Sequence, residues 1–438
     1  VDEVDDSAGA GQVDSVSWSA INALGPTAQV VLTATNDITI ENMSGGTTTL
    51  TLAAGGTLTV TSTLGNILFN TTTDTLKTSG GAVTFNTLVG GMTLGNFDTT
   101  VSGGNGALNF NSAGNLVFGN IKTGGAALTV DIASGKSASQ RAATTLQGST
   151  SLIKAGLGTL TLDQSNSYVG ATTINNGVLA VTLADALGGS GGASGTTVNS
   201  GGVLEINNVA IAAEPIRLAG GTLRGSGVAP SVDSDIALTA NSIIDVTGAE
   251  LVLNGVISGV GFGIEKKSAG LLTLNDTSSY SGTTIITDGS IIAGVDNVFA
   301  NSVLNIAGAG ARFEMETTNQ RIAGLAGNGV VSNDEPGANP VTLTIDGGGG
   351  QTFSGTFFDN TADDISVVKT GAGAQTFSVC AATFAGDLTI DDGTLSITTA
   401  NGLGEAAKGT VVEGNGTLNL NNLSLASLEV IEISGSGI

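Results

Sequence analysis

Few side chains in this 438-residue chain could do chemistry. There is no histidine and one cysteine, Cys380. Without histidine there is no Ser-His-Asp triad, no imidazole acid–base pair and no His-based zinc site. Carboxylate chemistry is the remaining route, and glycosidases need two acids grouped on one face. The candidate pairs are Asp363–Asp364 and Asp391–Asp392. Adjacent strand residues point to opposite faces, so neither pair forms a ready dyad. Five arginines, Arg141, Arg217, Arg224, Arg312 and Arg321, do not make an extended basic subsite. No catalytic residue is assigned, and the chain is read as a non-enzyme.

Cofactor chemistry fares little better. Asp2, Glu3, Asp5 and Asp6, or Asp359 with Asp363 and Asp364, offer oxygen ligands of the kind calcium takes. No EF-hand loop and no Gly-Gly-x-Gly-x-Asp nonapeptide accompanies them, so calcium is left open and no cofactor is assigned. The run Gly347–Gly350 lacks the following lysine and helix of a phosphate loop and reads as a turn. Cys380 has no intrachain partner, and in TFSVCAATF it reads as a small buried residue.

The bulk composition narrows the partners. Asp and Glu number 37 against 13 Lys and Arg, a net charge of −24, and the one basic pair is Lys266–Lys267. Nucleic acid and anionic membrane surfaces are therefore disfavoured as partners. Charged residues make up 11%, against about 25% in globular domains. Disorder is excluded by 40% hydrophobic residues and a mean hydropathy of +0.30. No run reaches the roughly 18–20 apolar residues of a membrane helix. The acidic start, VDEVDDSAGAG, reads as a processed N-terminus, and LEVIEISGSGI stops within strand-like sequence.

The elements that would position these residues are short strands. From about 28 to 135 the chain alternates apolar and polar residues in runs such as TTTLTLAAGGTLTVTS, cut by Gly-Gly, Gly-Asn and Asn-Asp turns. Residues 136–150 break the rhythm and predict a loop or helical turn. Residues 1–27, with Trp18, read as an N-terminal cap, followed by β-helix segments at 28–150 and 151–438. Residues 207–260 and 316–365 are less regular, with Pro336 and Pro340 in an expected protruding loop. One spacing recurs three times: Tyr168/Gly170/Gly177, Tyr280/Gly282/Gly289 and Phe384/Gly386/Gly393. Such repetition predicts an all-β solenoid in which each turn buries its face on the next.

These repeats carry a family resemblance. KAGLGTLTLDQSNSYVGATTINNGVLAV from Lys154 is similar to the passenger-associated transport repeat of bacterial autotransporters. The stretches from Lys266 and Lys369 follow it, the third with Phe384 for tyrosine and a Cys-containing insert. Nearer the N-terminus, NDITIENMSGGTTTLTLAAGGTLTV resembles filamentous-haemagglutinin-type β-helices. The resemblance implies a right-handed parallel β-helix on the outer surface of a Gram-negative-type cell. No C-terminal membrane-barrel sequence is seen, so the expectation is a cleaved passenger, a fragment, or export by another route.

Turns of about 20–25 residues are expected. Leu160, Leu162, Leu272, Leu274, Ile174 and Ile286 should point inward, with Thr159, Thr161 and Thr273 outward. Asn175–Asn176 should stack at a corner, and Tyr168, Tyr280 and Phe384 should pack corners. Lys154, Lys266 and Lys369 read as solvated or carboxylate-paired surface charges. The functional expectation is an adhesin-like rod for a host or matrix ligand, protein or glycan. The alternative is a structural subunit of a filament, sheath or surface layer that binds copies of itself.

Overall fold

The computed structural model describes residues 15–189, 195–212, 214–333, 340–347, 349–359, 364–378, 381–382, 384–405, 408–425 and 429–434. Asp2, Glu3, Asp5, Asp6, Pro336, Asp363 and Cys380 lie outside them. The chain divides into two compact units, 1–216 and 217–438.

In the first unit, strands from successive turns pair in parallel. Gln29–Ala34, Thr57–Ser62, Ala82–Thr87, Leu108–Ser112, Ala127–Ile132 and Ser151–Ala155 run side by side in one sheet. The register repeats after 20 to 28 residues, as when Gln29 faces Thr57 and Leu108 faces Leu128. Period-two alternation then fixes the faces. Leu58, Val83, Leu108, Leu128 and Leu152 form one inward column with almost no exposure. Thr59, Thr84, Asn109 and Thr129 form the adjacent outward column.

Two further parallel sheets close the coil. One contains Ile67–Phe69, Leu116–Phe118 and Thr159–Leu162; the other contains Thr75–Ser79, Asn96–Asp98 and Ile121–Thr123. Phe69, Phe85, Phe97, Phe110 and Phe118 fill the interior with ring centroids 5.3–6.2 Å apart. Corners are so tight that a Cβ on Gly90 would lie 2.0 Å from Gly65 O, hence the Gly-Gly turns.

The expected loop or helical turn at 136–150 is instead two strands, Ser137–Gln140 and Leu146–Gly148, each paired with neighbours. Arg141 sits between them and is held by backbone. Its Nη2 donates to Leu94 O at 3.0 Å and its Nη1 to Thr72 O, so one side chain ties three turns. Near the start, Trp18–Ala23 is a helix, with Ile21 buried and Asn22 bonded to Thr49 O and Thr51 N.

The second unit repeats the scheme with turns of 18 to 26 residues. Ser242–Val246, Ile264–Lys267, Thr284–Ile286 and Val303–Ile306 pair in parallel, as do Glu250–Leu253, Leu271–Leu274, Ser290–Ala293 and Arg312–Glu314. Its core includes Phe353, Phe357, Phe377 and Phe384 in edge-to-face contact. Both units are all-β parallel β-solenoids. The inward assignments of Leu160, Leu162, Ile174, Leu272, Leu274 and Ile286 hold, each at most 2% exposed.

Candidate functional site

The three lysines overturn the expectation of surface charge. Lys154, Lys266 and Lys369 are at most 1% exposed. Each occupies an inward column between aliphatic neighbours: Val130 and Ile174 flank Lys154, Ile244 and Ile286 flank Lys266, and Ile345 and Ile390 flank Lys369. An ammonium has three N–H donors, and each here has three carbonyl acceptors. Lys154 Nζ donates to Ala155 O, Gly156 O and Asn176 O at 2.5, 2.8 and 3.1 Å. Lys266 Nζ reaches Lys267 O, Ser268 O and Asp288 O at 3.0, 2.6 and 3.0 Å. Lys369 Nζ reaches Thr370 O, Gly371 O and Asp392 O at 2.6, 2.6 and 3.1 Å.

Local backbone builds this cage. Gly156, Ser268 and Gly371 are left-handed, with φ of 68°, 62° and 69°, and each supplies one of the carbonyls. Ser268 is held there in part by its Oγ donating to Asp245 Oδ1 at 2.6 Å. The third carbonyl comes from the following turn, just before the left-handed Gly177, Gly289 and Gly393. Burial pushes Lys154 and Lys266 down to about 8, against the raising effect of Asp131 in the first case and of Asp288 and Asp245 in the second. Lys369 is lowered for the same reason, opposed by Asp392 and Asp346. A lysine with a lowered pKa suits nucleophilic chemistry, but these have no solvent access and point at backbone carbonyls. They tie turn to turn.

The aromatic position packs inside as expected: Tyr168, Tyr280 and Phe384 are at most 1% exposed. Tyr168 Oη lies 2.6 Å from Thr172 Oγ1 and Tyr280 Oη 2.5 Å from Thr284 Oγ1. In the third repeat both polar groups are gone together, with Phe384 and Leu388 in their places and Phe357 5.3 Å from the Phe384 ring. At the corner, Asn199 Nδ2 donates to Asn175 Oδ1 at 2.8 Å, so Asn175 joins a ladder. Asn176 does not.

Of the carboxylates considered for chemistry, Asp364, Asp359 and Asp392 are used by the fold, and Asp391 is exposed. Asp364 pairs with Lys408 at 3.1 Å. Asp359 Oδ2 accepts from Ala385 N at 2.7 Å and Ile365 N at 3.2 Å, and burial raises its pKa. Asp392 Oδ1 accepts from Gly393 N at 2.8 Å. Among the described residues no three His, Cys, Asp or Glu side chains cluster as a metal site.

Two surfaces of the first unit remain as places for a partner. One is a depression of about 470 Å³ bordered by Ser165, Asp185, Leu187, Ile211 and Glu214. Burial raises the Glu214 carboxyl, against the Thr196 hydroxyl that donates to it at 2.6 Å. The other is the outward face of the Thr- and Asn-rich sheet. There Asn86 Nδ2 donates to Thr61 Oγ1, Asn109 Nδ2 to Thr84 Oγ1 and Asn111 Nδ2 to Asn86 Oδ1, at 3.1, 3.2 and 2.8 Å. This face is polar and nearly uncharged.

Comparison with known proteins matches the geometry. The passenger-associated-transport-repeat family model matches residues 152–181, 264–293 and 367–397, each span running from the strand that carries the caged lysine to the strand that contains or follows the left-handed glycine. The chain is 31% identical over 244 residues to the adhesin BmaC autotransporter of Brucella suis biovar 1 (strain 1330), covering 54% of this chain. It spans 6% of the length of that relative. No solved structure matches. No helix of the described residues is long and apolar enough to cross a membrane. The chain thus carries three passenger-associated transport repeats on a parallel β-solenoid and is similar over about half its length to part of an autotransporter adhesin.

Proposed function

We propose that the chain is a non-enzymatic, adhesin-like passenger segment displayed on the outer surface of a Gram-negative bacterium. One observation carries this reading: more than half of the chain aligns with a protein described as an autotransporter adhesin. Three of the acids weighed for chemistry support it, since Asp359 and Asp392 accept from backbone N–H groups and Asp364 pairs with Lys408. The ligand is a protein or glycan of a host or matrix surface, contacted through the polar outward face around Asn86, Asn109 and Asn111. A flat array of amide and hydroxyl groups offers many weak hydrogen bonds, and many copies on one cell would add them by avidity.

The test is binding of beads coated with the purified chain to cultured epithelial cells and to immobilised matrix proteins and glycans. Saturable binding, reduced when Asn86, Asn109 and Asn111 are changed together to lysine, is expected. Absence of binding on every surface, with beads clustering among themselves, would overturn it in favour of a self-assembling structural subunit.

A further inference from the structure

The three lysine cages differ at one position. The carbonyl from the following turn belongs to Asn176 in the first repeat but to Asp288 and Asp392 in the others, always followed by glycine. In the second and third repeats the side chain is occupied, because Asp288 Oδ1 and Asp392 Oδ1 accept the N–H of the next glycine at 2.9 and 2.8 Å. Asn176 is exposed, and its carboxamide has no hydrogen-bond partner among the described residues. Gly177 has no Cβ to shield its nitrogen. Its N–H is held by Gly201 O at 3.1 Å, a single bond to be opened. Lys154 places an ammonium 3.1 Å from the oxygen of the peptide group whose nitrogen belongs to Gly177.

We propose that Asn176 is a self-modification site, where the caged Lys154 promotes conversion of the asparagine to aspartate through attack by the Gly177 nitrogen. A cation on a peptide oxygen stabilises the negative charge that develops there when the nitrogen gives up its proton. The nitrogen then bonds to Asn176 Cγ, and the Cγ–Nδ2 bond breaks as ammonia leaves. Water adds to Cγ, the new N–Cγ bond breaks, and an aspartate carboxylate remains with a proton released. Water is the only co-reactant. The main-chain carbonyl of the cyclic imide faces Lys154 in the interior while Cγ faces solvent, so water enters at Cγ and the normal aspartyl linkage is favoured over the isoaspartyl one. The product fits, since aspartate is what Asp288 and Asp392 already are at this position.

The second unit supplies a control. Asn328–Gly329 stands at the matching place before its sheet strand, with the left-handed glycine at Gly327 rather than Gly329, and Asn328 is likewise exposed with no side-chain partner among the described residues. In the lysine column beneath it stands Ile306, in register with Gly327. Asn254–Gly255 is a second control, its amide bonded to Asp233 and Asn275.

The experiment is prolonged incubation of the native chain at neutral pH, with peptide mapping by mass spectrometry. Loss of one charge-assisted bond corresponds to about tenfold in rate, so Asn176 should convert about tenfold faster than Asn328 and faster still than Asn254. In urea the three rates should converge. Asp288→Asn, placed over Lys266, should create a second fast site. Lys154→Met should slow Asn176 to the rate of Asn328; if that variant does not fold, Asp288→Asn decides. Equal native rates at Asn176 and Asn328, or a slow site in Asp288→Asn, would overturn the proposal.

Discussion

The hydroxyls of Tyr168 and Thr172 meet 2.6 Å apart inside the solenoid, and both are dispensed with together where Phe384 and Leu388 take their positions. The pair behaves as a unit: two buried polar groups that satisfy each other, or two apolar ones. Tyr168→Phe alone should therefore cost about 1 kcal/mol by stranding a buried hydroxyl. Adding Thr172→Val should recover most of it. Tyr280→Phe should cost less, because Thr284 keeps a bond to Ser302 at 2.8 Å. A double-mutant cycle on local stability, read by hydrogen exchange in the strand Thr172–Ile174, checks this. Simple additivity of the two single costs would count against it.

The caged lysines should resist acylation. Lys267 and Lys408, with side chains 43% and 47% exposed, should react with an activated ester under native conditions, and Lys154, Lys266 and Lys369 should not. Lys154→Met leaves three buried carbonyls without their donor and should destabilise its turn by about 2–4 kcal/mol. Native labelling of all lysines at similar rates would contradict the burial.

The same lysines set a pH dependence. The folded pKa of Lys154 and Lys266, about 8, lies below the ordinary 10.5, and that of Lys369 is lowered too, so between those values the unfolded chain binds more protons than the folded one. Stability should rise with pH across that window. Burial raises Tyr168 and Tyr280 above the ordinary 10.0, so the unfolded chain loses those protons first and stability should turn down above that point. Urea midpoints measured from neutral pH upward should pass through a maximum at about pH 10. A steady decline from neutral pH would refute the assignment.

Gly177 couples conformation to space. It is left-handed at φ 65°, and a Cβ there would lie 2.4 Å from Gly158 O. Gly177→Ala should cost about 3 kcal/mol or more, combining backbone strain with a clash against fixed backbone. Gly25→Ala, left-handed with nothing within 4 Å, should cost about 1–2 kcal/mol. Equal midpoints for the two variants would refute the steric part.

Much of this architecture is legible in the residues. Alternation around Leu160 and Leu162 places them inside, and the spacing of Tyr168 to Gly177 marks a unit that recurs. The lysines look like surface groups only when charge is weighed above parity. Lys154 stands two residues after inward Leu152, as Lys266 does after Ile264 and Lys369 after Val367. That parity points inward. What no local pattern carries is the acceptor set, since the third carbonyl lies 22 or 23 residues away. Arg141 is hidden for a similar reason: its partners are 47 and 69 residues distant, and its segment breaks the alternation that flags a strand.

The cage also gives the array a direction. Two acceptors belong to the lysine's own turn and the third to the next one along the chain, never to the one before. A turn standing last would hold a buried ammonium with one proton unsatisfied. In a linear array, stability divides into intrinsic and nearest-neighbour terms, and this arrangement moves weight to the second. An excised single repeat should be a poor folder, and the smallest cooperative block must contain a lysine turn together with its successor.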